Sequence, residues 1–209
     1  MCYSYEISRD TFAVGTIGTL VNAYIFRNST FFSLLNIGWY APTLMQLYDA
    51  LLWKNIQCKL VTKLALVTNL IQPFAPLLLL GQSGRFIAKD PNYTLVALTC
   101  GVYLAYIVPL LFTDYGCMRN SKSISLLWWN MLGGTVYCGT MSILALQLMT
   151  LPGAMMLLAY FYITLIAAWI LVARERKPDW RAGRAGSIWC WAAAFAPLYN
   201  LLMYLLVAN

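Results

Sequence analysis

The feature that most constrains this chain is a series of long apolar blocks separated by short polar segments. Of its 209 residues, 61% are hydrophobic and 10% are charged, whereas ordinary soluble domains have roughly 45–50% and about 25%. A soluble fold cannot hide that much apolar surface, but a helix that crosses a bilayer needs about 20 consecutive apolar residues. The sequence therefore predicts an all-α, polytopic transmembrane helix bundle that forms a single domain over 1–209.

Seven blocks are long enough to cross the membrane. The predicted spans are 11–26, 31–53, 60–80, 94–112, 125–149, 153–173 and 188–207. Eleven Lys and Arg residues fall on the amino-terminal side of the membrane and three on the other side. By the positive-inside rule, this asymmetry predicts a cytoplasmic amino terminus and a carboxyl terminus outside or in a lumen. The sequence does not identify the membrane.

Composition also excludes several kinds of protein. The chain has no histidine and no Cys-x-x-Cys pair, which removes histidine-based catalysis and the usual zinc sites. Its net charge of +7 comes from residues between the apolar blocks, so it predicts orientation in a membrane and no nucleic-acid partner. We expect no cofactor and no metal. An intramembrane enzyme stays open as a third alternative after those given below, because only Asp49 and scattered Tyr, Ser and Cys side chains could serve as acid–base groups. Cys58 and Cys117 fall on the predicted cytoplasmic side, where free thiols are expected.

A group of polar residues inside spans two and three forms the candidate site. Asp49 is the one acidic residue within a span, and an ionisable group in hydrocarbon costs a few kcal/mol unless it is paired or hydrated. Lys63 enters span three at a similar depth, so we predict an intramembrane pair between Asp49 and Lys63. Gln46 lies one turn before Asp49, and Asn69 and Gln72 share a face of span three. These five residues form a predicted polar seam.

Two interpretations of the polar seam stay open. It could line a pathway or pocket for a small solute or ion. It could equally hold the helices together, since interhelical hydrogen bonds contribute about 0.6–2 kcal/mol each. The first interpretation gives the leading hypothesis, a small-solute or ion transporter or channel-like protein. The second gives the alternative, a structural or assembly protein of a cellular or viral membrane.

A short internal repeat accompanies the seam. Phe-Ala-Pro-Leu occurs at 74–77 and again at 195–198, an offset of 121 residues. At the same offset, Gly-Thr at 18–19 matches Gly-Thr at 139–140. This pattern suggests two parallel three-helix repeats joined by span four as a linker, an arrangement known in transporters.

The most charged segment follows span six. Its basic residues are candidates for binding anionic lipid headgroups, although such a segment more often only fixes orientation. These candidates are Arg174, Arg176, Lys177, Arg181 and Arg184. The lipid bilayer is the one partner that the sequence implies directly, and it leaves the oligomeric state open.

Several groups of residues also carry a family resemblance. They are Met1-Cys2-Tyr3-Ser4; Met45-Gln46-x-x-Asp49-x-x-Leu52-Trp53-x-Asn55-x-x-Cys58; Lys63; Gln72-Pro73; and Gly186-Ser187-Ile188-Trp189-Cys190-Trp191. In these segments the chain resembles a family of uncharacterised small multi-pass membrane proteins of large DNA viruses of algae and protists and of some microbes. That family carries glutamate where Asp49 stands. The resemblance implies no activity, but its matching positions include most of the polar seam.

Overall fold

The computed structural model describes residues 4–118, 126–173 and 181–208. In these residues the fold is all α-helical, apart from one isolated backbone bridge between Ile87 and Met149. The helices are α1 (Tyr5–Ile25), α2 (Thr30–Trp53), α3 (Cys58–Ile71), α4 (Tyr93–Phe112), α5 (Met131–Leu148), α6 (Leu151–Ala173), α7 (Arg181–Ala193) and α8 (Ala196–Ala208). A 3-10 helix, Gln72–Leu79, continues α3 directly.

A helix lies at each of the seven predicted spans, but the count of seven is not confirmed. Four continuous helical segments are long and apolar enough to cross a membrane: Cys58–Leu79, Tyr93–Phe112, Met131–Leu148 and Leu151–Ala173. The bent pair α7 and α8 adds a fifth if it forms one span. Helices α1 and α2 have sufficient length, 21 and 24 residues. Neither is apolar enough to be counted with those four, and each contains acidic residues, such as Glu6 in α1 and Asp49 in α2, which the four segments lack.

Side-chain caps set the start of several helices. The Asn92 side chain accepts a hydrogen bond from the Leu95 amide at 3.0 Å and begins α4. Asn130 does the same for α5, with the Gly133 amide at 2.7 Å. Such caps satisfy amide groups that have no partner inside the helix. Asn130 also explains why α5 begins several residues after the predicted start of span five.

Two helix breaks coincide with the repeated Phe-Ala-Pro-Leu sequence. Proline lacks an amide hydrogen and clashes with the preceding turn, so it interrupts an α-helix. At Pro73 and Pro76 the chain tightens from α3 into the 3-10 helix Gln72–Leu79, which we call the first break. Before Pro197 the chain bends by 47° between α7 and α8, which we call the second break.

Helix α2 lies at the centre of the bundle. It packs against α1, α3, the first break, α7 and α8. Helix α5 covers the first break from the other side, and α6 packs along α7. Helix α4 is peripheral, because it buries a single stripe of residues three or four positions apart. The central position of α2 explains why its polar residues are buried.

The structure corrects the prediction of free thiols at Cys58 and Cys117. The start of α3 meets the segment after α4, and the two cysteines form a disulfide with a Cα–Cα distance of 5.3 Å. That distance lies within the range that disulfides require. The prediction failed because the contact joins residues 59 positions apart, which spacing in the sequence did not reveal.

Candidate functional site

The polar seam is largely an interior feature. Gln46, Asp49, Asn69 and Gln72 are each at most 3% exposed. Gln46 and Asp49 lie on α2, Asn69 on α3, and Gln72 at the start of the first break. Burial of four polar side chains requires partners in the interior, since each unbonded polar group costs free energy. The partners of Asn69 and Gln72 define the candidate site.

The predicted pair between Asp49 and Lys63 does not form. Lys63 is exposed and donates a hydrogen bond to the backbone carbonyl of Leu111, near the carboxyl end of α4. A cation is favoured there, because the last carbonyls of a helix carry partial negative charge. Asp49 is buried and lies within electrostatic reach of Cys190 on α7. The prediction did not account for rotation: Lys63 lies on the exposed face of α3, with Leu60, Leu64 and Val67.

Asn69 and Gln72 form one hydrogen-bonded chain with two aromatic residues. The indole Nε1 of Trp128 donates to Asn69 Oδ1 at 3.0 Å. Asn69 Nδ2 donates to Gln72 Oε1 at 3.5 Å. The Tyr137 hydroxyl also donates to Gln72 Oε1, at 2.6 Å. We call these four residues the amide relay. It joins α3, the first break and α5, so the prediction that Asn69 and Gln72 act together is consistent with this geometry.

An apolar cavity adjoins the amide relay. It lies between α2, the first break, α5, α6 and α7, and its free volume of about 20 Å³ is enough for one water molecule. Gln72 and Tyr137 of the relay line one side, and Trp39 and Trp189 line others. Aliphatic side chains, proline, alanine and methionine supply most of the remaining surface. We call it the central cavity.

The donors around the central cavity differ in whether they are bonded. The Trp189 indole donates to Thr164 Oγ1 at 3.0 Å, and Tyr137 donates to Gln72. Trp39 Nε1 and Gln72 Nε2 are buried and have no hydrogen-bond partner within the part of the chain that the structure describes. Such groups are rare in native proteins and call for an explanation.

Sequence reasoning missed three residues of this site. Trp39, Tyr137 and Trp189 are apolar or aromatic residues in apolar blocks, where they look like ordinary packing side chains. Their rings belong to larger aromatic groups: Tyr137 and Trp189 lie 5.8 Å apart, and Trp39 meets Tyr160 at 5.4 Å. No spacing in one sequence distinguishes them, because their importance arises from helices brought together only by folding.

The candidate headgroup residues are only partly within the described chain. Arg174, Arg176 and Lys177 lie outside the described residues. Arg181 begins α7, and Arg184, one turn later, is half-buried. Helix α7 therefore starts seven residues before the predicted span seven. Binding of lipid headgroups by this segment stays a prediction.

Comparison of the chain with protein-family models, with curated proteins and with solved structures gives no match. The resemblance to small membrane proteins of large DNA viruses thus stays a prediction. The function has to be inferred from the central cavity and the amide relay.

Proposed function

We propose that this chain is a multi-pass membrane protein that moves a small solute through the central cavity. The solute would bind beside Gln72, Tyr137 and Trp39, and α2 and the first break would have to separate to admit it, because the closed cavity has a free volume of about 20 Å³. The polar seam residues Gln46 and Asp49 would form the path from the cavity toward the carboxyl end of α2, which Lys54 follows.

The central cavity beside a broken helix is the observation that carries the proposal. Gln72, Ala75 and Pro76 of the first break all line it. In secondary transporters, substrate sites occur beside discontinuous helices deep in the membrane, where irregular backbone is tolerated because it lines a cavity. Trp39 is the tenth of the 24 residues of α2, so the cavity reaches the middle of that helix.

A row of buried residues on α2 leads from the cavity toward the carboxyl end of that helix. Pro42 lines the cavity, Gln46 follows one turn later, and Asp49 comes almost one turn after that. All three are buried, on the face of α2 that is turned toward the bundle. A solute or proton leaving the cavity along this face would meet polar groups at intervals of about one turn, 5.4 Å.

The proposed orientation has a cytoplasmic amino terminus and seven spans. It is supported by the excess of eleven basic residues over three on the amino-terminal side. The repeat of two three-helix units is supported by the position of the two Phe-Ala-Pro-Leu segments, each at a helix break. Helices α1 and α2 can cross the membrane without a cavity beside their polar faces, because those faces pack against other helices.

A structural or assembly role is the second candidate. It is favoured by a separate polar cluster that adjoins no cavity described here: Asn22 Nδ2 donates to the Pro197 carbonyl at 2.7 Å and to Asn36 Oδ1 at 3.3 Å. Those bonds join α1, α2 and α8 in the manner of interhelical packing. A protein with only this kind of polar contact would need no solute.

The test is a flux assay on purified protein in liposomes, with a panel of small neutral solutes and protons. Liposomes that contain wild type should show a higher solute flux than protein-free liposomes. Gln72→Met should lower this flux at least about tenfold, because it removes both polar atoms of the side chain with little change in volume. Asp49→Asn should lower flux as well, if the path runs along α2.

The matched control is Gln82→Met, the same chemical change at an exposed position after the first break. It should leave flux unchanged. Melting temperature in detergent is recorded for every variant, so that loss of fold is recognised. Absence of flux in wild type, together with lower melting temperatures for Gln72→Met and Asp49→Asn, would favour the structural role.

A further inference from the structure

A second open space lies between the first half of α5 and the second half of α6, closed at one edge by Gly186 of α7. Its free volume is about 410 Å³, compared with about 20 Å³ for the central cavity. Trp129 and Leu165, each 8% exposed, form its floor, and the exposed side chains of Met131 and Tyr162 stand at its edges. We call it the lateral groove.

A glycine and one hydrogen bond explain the shape of the lateral groove. Gly139 adds no side chain to the α5 wall, and a Cβ built there would have no atom within 4 Å. Farther along α5, Ser142 Oγ and the Tyr162 hydroxyl share a hydrogen bond of 2.7 Å that joins α5 to α6. The lateral groove therefore runs from this bond back to the start of α5.

The depth of the lateral groove corresponds to one leaflet of a bilayer. Helix α5 has 18 residues, so it rises about 27 Å, close to the roughly 30 Å of a hydrocarbon core. Its lining residues, Met131 to Gly139, occupy the first half of that length. Leu132 and Ile166, beside the groove, are 63% and 56% exposed. In a membrane this face meets hydrocarbon, and lipid chains are the molecules nearest to it.

The polar groups along the lateral groove are already used within the protein. The Thr135 hydroxyl donates to the Met131 carbonyl at 2.9 Å. Asn130 Oδ1 accepts from the Gly133 amide at 2.7 Å, and the Tyr162 hydroxyl is bonded to α5. A polar solute would gain few hydrogen bonds here, whereas a hydrocarbon chain would leave these bonds intact.

The open end of the lateral groove lies at the end of the bundle where α7 begins. Helix α7 starts at Arg181, and Arg184, one turn later, is half-buried. None of the described residues that line the groove is acidic. Basic residues near a membrane surface attract anionic lipid headgroups. The charge at this end therefore favours an anionic lipid over a zwitterionic one.

We propose that the lateral groove binds one acyl chain of an anionic phospholipid, whose headgroup lies beside the start of α7. The inference goes beyond the proposed function, because it needs α5 and α6 in a bilayer but no transport. Association inside a membrane depends on close packing. Packing of the chain against Trp129 and Leu165 distinguishes this lipid from those that only surround the protein.

The test titrates delipidated protein in detergent with phosphatidylglycerol or phosphatidylcholine that carry the same palmitoyl and oleoyl chains. Native mass spectrometry gives the apparent dissociation constant of the first bound lipid. Wild type should bind phosphatidylglycerol at least about fivefold more tightly, the effect of about one basic residue beside an anionic headgroup. Oleate, an anion with a single chain, should bind more weakly than phosphatidylglycerol.

Variants locate the lipid. Gly139→Leu fills the lateral groove and should raise the dissociation constant of phosphatidylglycerol at least about tenfold. Gly101→Leu is the matched control, because a Cβ there also has no atom within 4 Å, but Gly101 lies on α4 away from the groove. Arg184→Gln should remove the preference for phosphatidylglycerol. Arg27→Gln, at an exposed arginine at the other end of the bundle, should retain it.

Cys138 allows a test on wild type that does not depend on the folding of a variant. Cys138 lines the lateral groove, whereas Cys100, also a half-buried free thiol, lies on α4. Bound phosphatidylglycerol should slow the alkylation of Cys138 by N-ethylmaleimide and leave that of Cys100 unchanged, as measured by peptide mass spectrometry.

Equal protection of the two thiols, or protection of neither, would overturn the inference. So would equal affinity of wild type for the two phospholipids, tighter binding of oleate, or a Gly139→Leu protein that binds phosphatidylglycerol as tightly as wild type. Flux is measured separately, so that failure of transport and failure of the lipid site are told apart.

Discussion

The two helix breaks begin from the same four residues but differ in what surrounds them. Each contains Phe-Ala-Pro-Leu, and each is approached closely by a glycine of another helix. A Cβ on Gly38 would lie 2.9 Å from the Ala75 Cβ at the first break. A Cβ on Gly18 would lie 3.0 Å from the Pro197 Cβ at the second. In both places, a proline interruption packs against a helix that has no side chain at the contact.

The polar groups near the breaks are used differently. At the second break the Pro197 carbonyl accepts from Asn22, and Asn36 Nδ2 donates to the Thr19 carbonyl at 3.0 Å. At the first break, the buried Nε2 of Gln72 has no hydrogen-bond partner among the described residues. A proline in a membrane helix therefore does not by itself indicate function. What matters is whether neighbouring side chains satisfy the polar groups around it.

The largest change in stability is expected from removing the disulfide at the start of α3, the helix that leads into the first break. The Cys58–Cys117 disulfide joins the start of α3 to the segment after α4, closing a loop of 59 residues. In the chain-entropy account, such a link stabilises a protein by up to about 4 kcal/mol. Cys58→Ser/Cys117→Ser should therefore melt well below oxidised wild type and match wild type treated with dithiothreitol. Equal melting of all three would show that the bond contributes nothing.

The same disulfide provides a test of the proposed orientation in the membrane. Stable disulfides belong to oxidising compartments, whereas the charge asymmetry assigns this face to the cytoplasm. Labelling with a membrane-impermeant maleimide in sealed right-side-out cells, before and after reduction, separates the two. From the charges, Cys58 and Cys117 should label only after the membrane is opened. Labelling in sealed cells after reduction would reverse the orientation.

The next prediction compares stability and flux in two variants, one at each break. Asn22→Leu leaves the Pro197 carbonyl and Asn36 Oδ1 without their donor, and should lower the free energy of unfolding by about 1–3 kcal/mol. Flux per folded molecule should not change. Gln72→Met should show the larger loss of flux. Denaturation and flux are measured on both variants. If the breaks differ in role, Asn22→Leu loses mainly stability and Gln72→Met loses mainly flux.

A parallel response would contradict this comparison. If Asn22→Leu abolished flux while the protein stayed folded, the second break would belong to the transport path. If Gln72→Met changed only stability, the first break would be structural like the second.

The sequence predicted the class of fold well, because it depends on a strong local signal. A span needs about 20 apolar residues, and blocks such as 153–173 supply them directly. Helices α1 and α2 were harder to judge as spans, since their polar residues reduce the apolar signal while tertiary contacts bury those residues. Whether these two helices cross the membrane depends on how they pack against their neighbours, and hydropathy carries no information about packing.

The candidate site was predictable only in part. Asn69 and Gln72 stood out because polar residues are costly in a span, and they do lie together. The pairing of Lys63 failed because it depended on the rotation of α3, where an error of one or two residues moves a side chain to another face. Trp39 and Tyr137 could not be selected at all, because an aromatic residue in an apolar block carries no sign of its partner.

The smallest effect has the opposite sign and tests the second break most closely. Asn200 lies one turn after Pro197 and is fully buried, and neither atom of its amide has a partner among the described residues. Replacement by leucine, which has a similar shape, removes two unbonded polar atoms and should raise the free energy of unfolding by about 1 kcal/mol. Asn36→Leu, at a bonded asparagine in the same region, should lower it instead. If Asn200→Leu were destabilising and also reduced flux, Asn200 would bind something at the second break, and both Phe-Ala-Pro-Leu segments would then serve the same pathway.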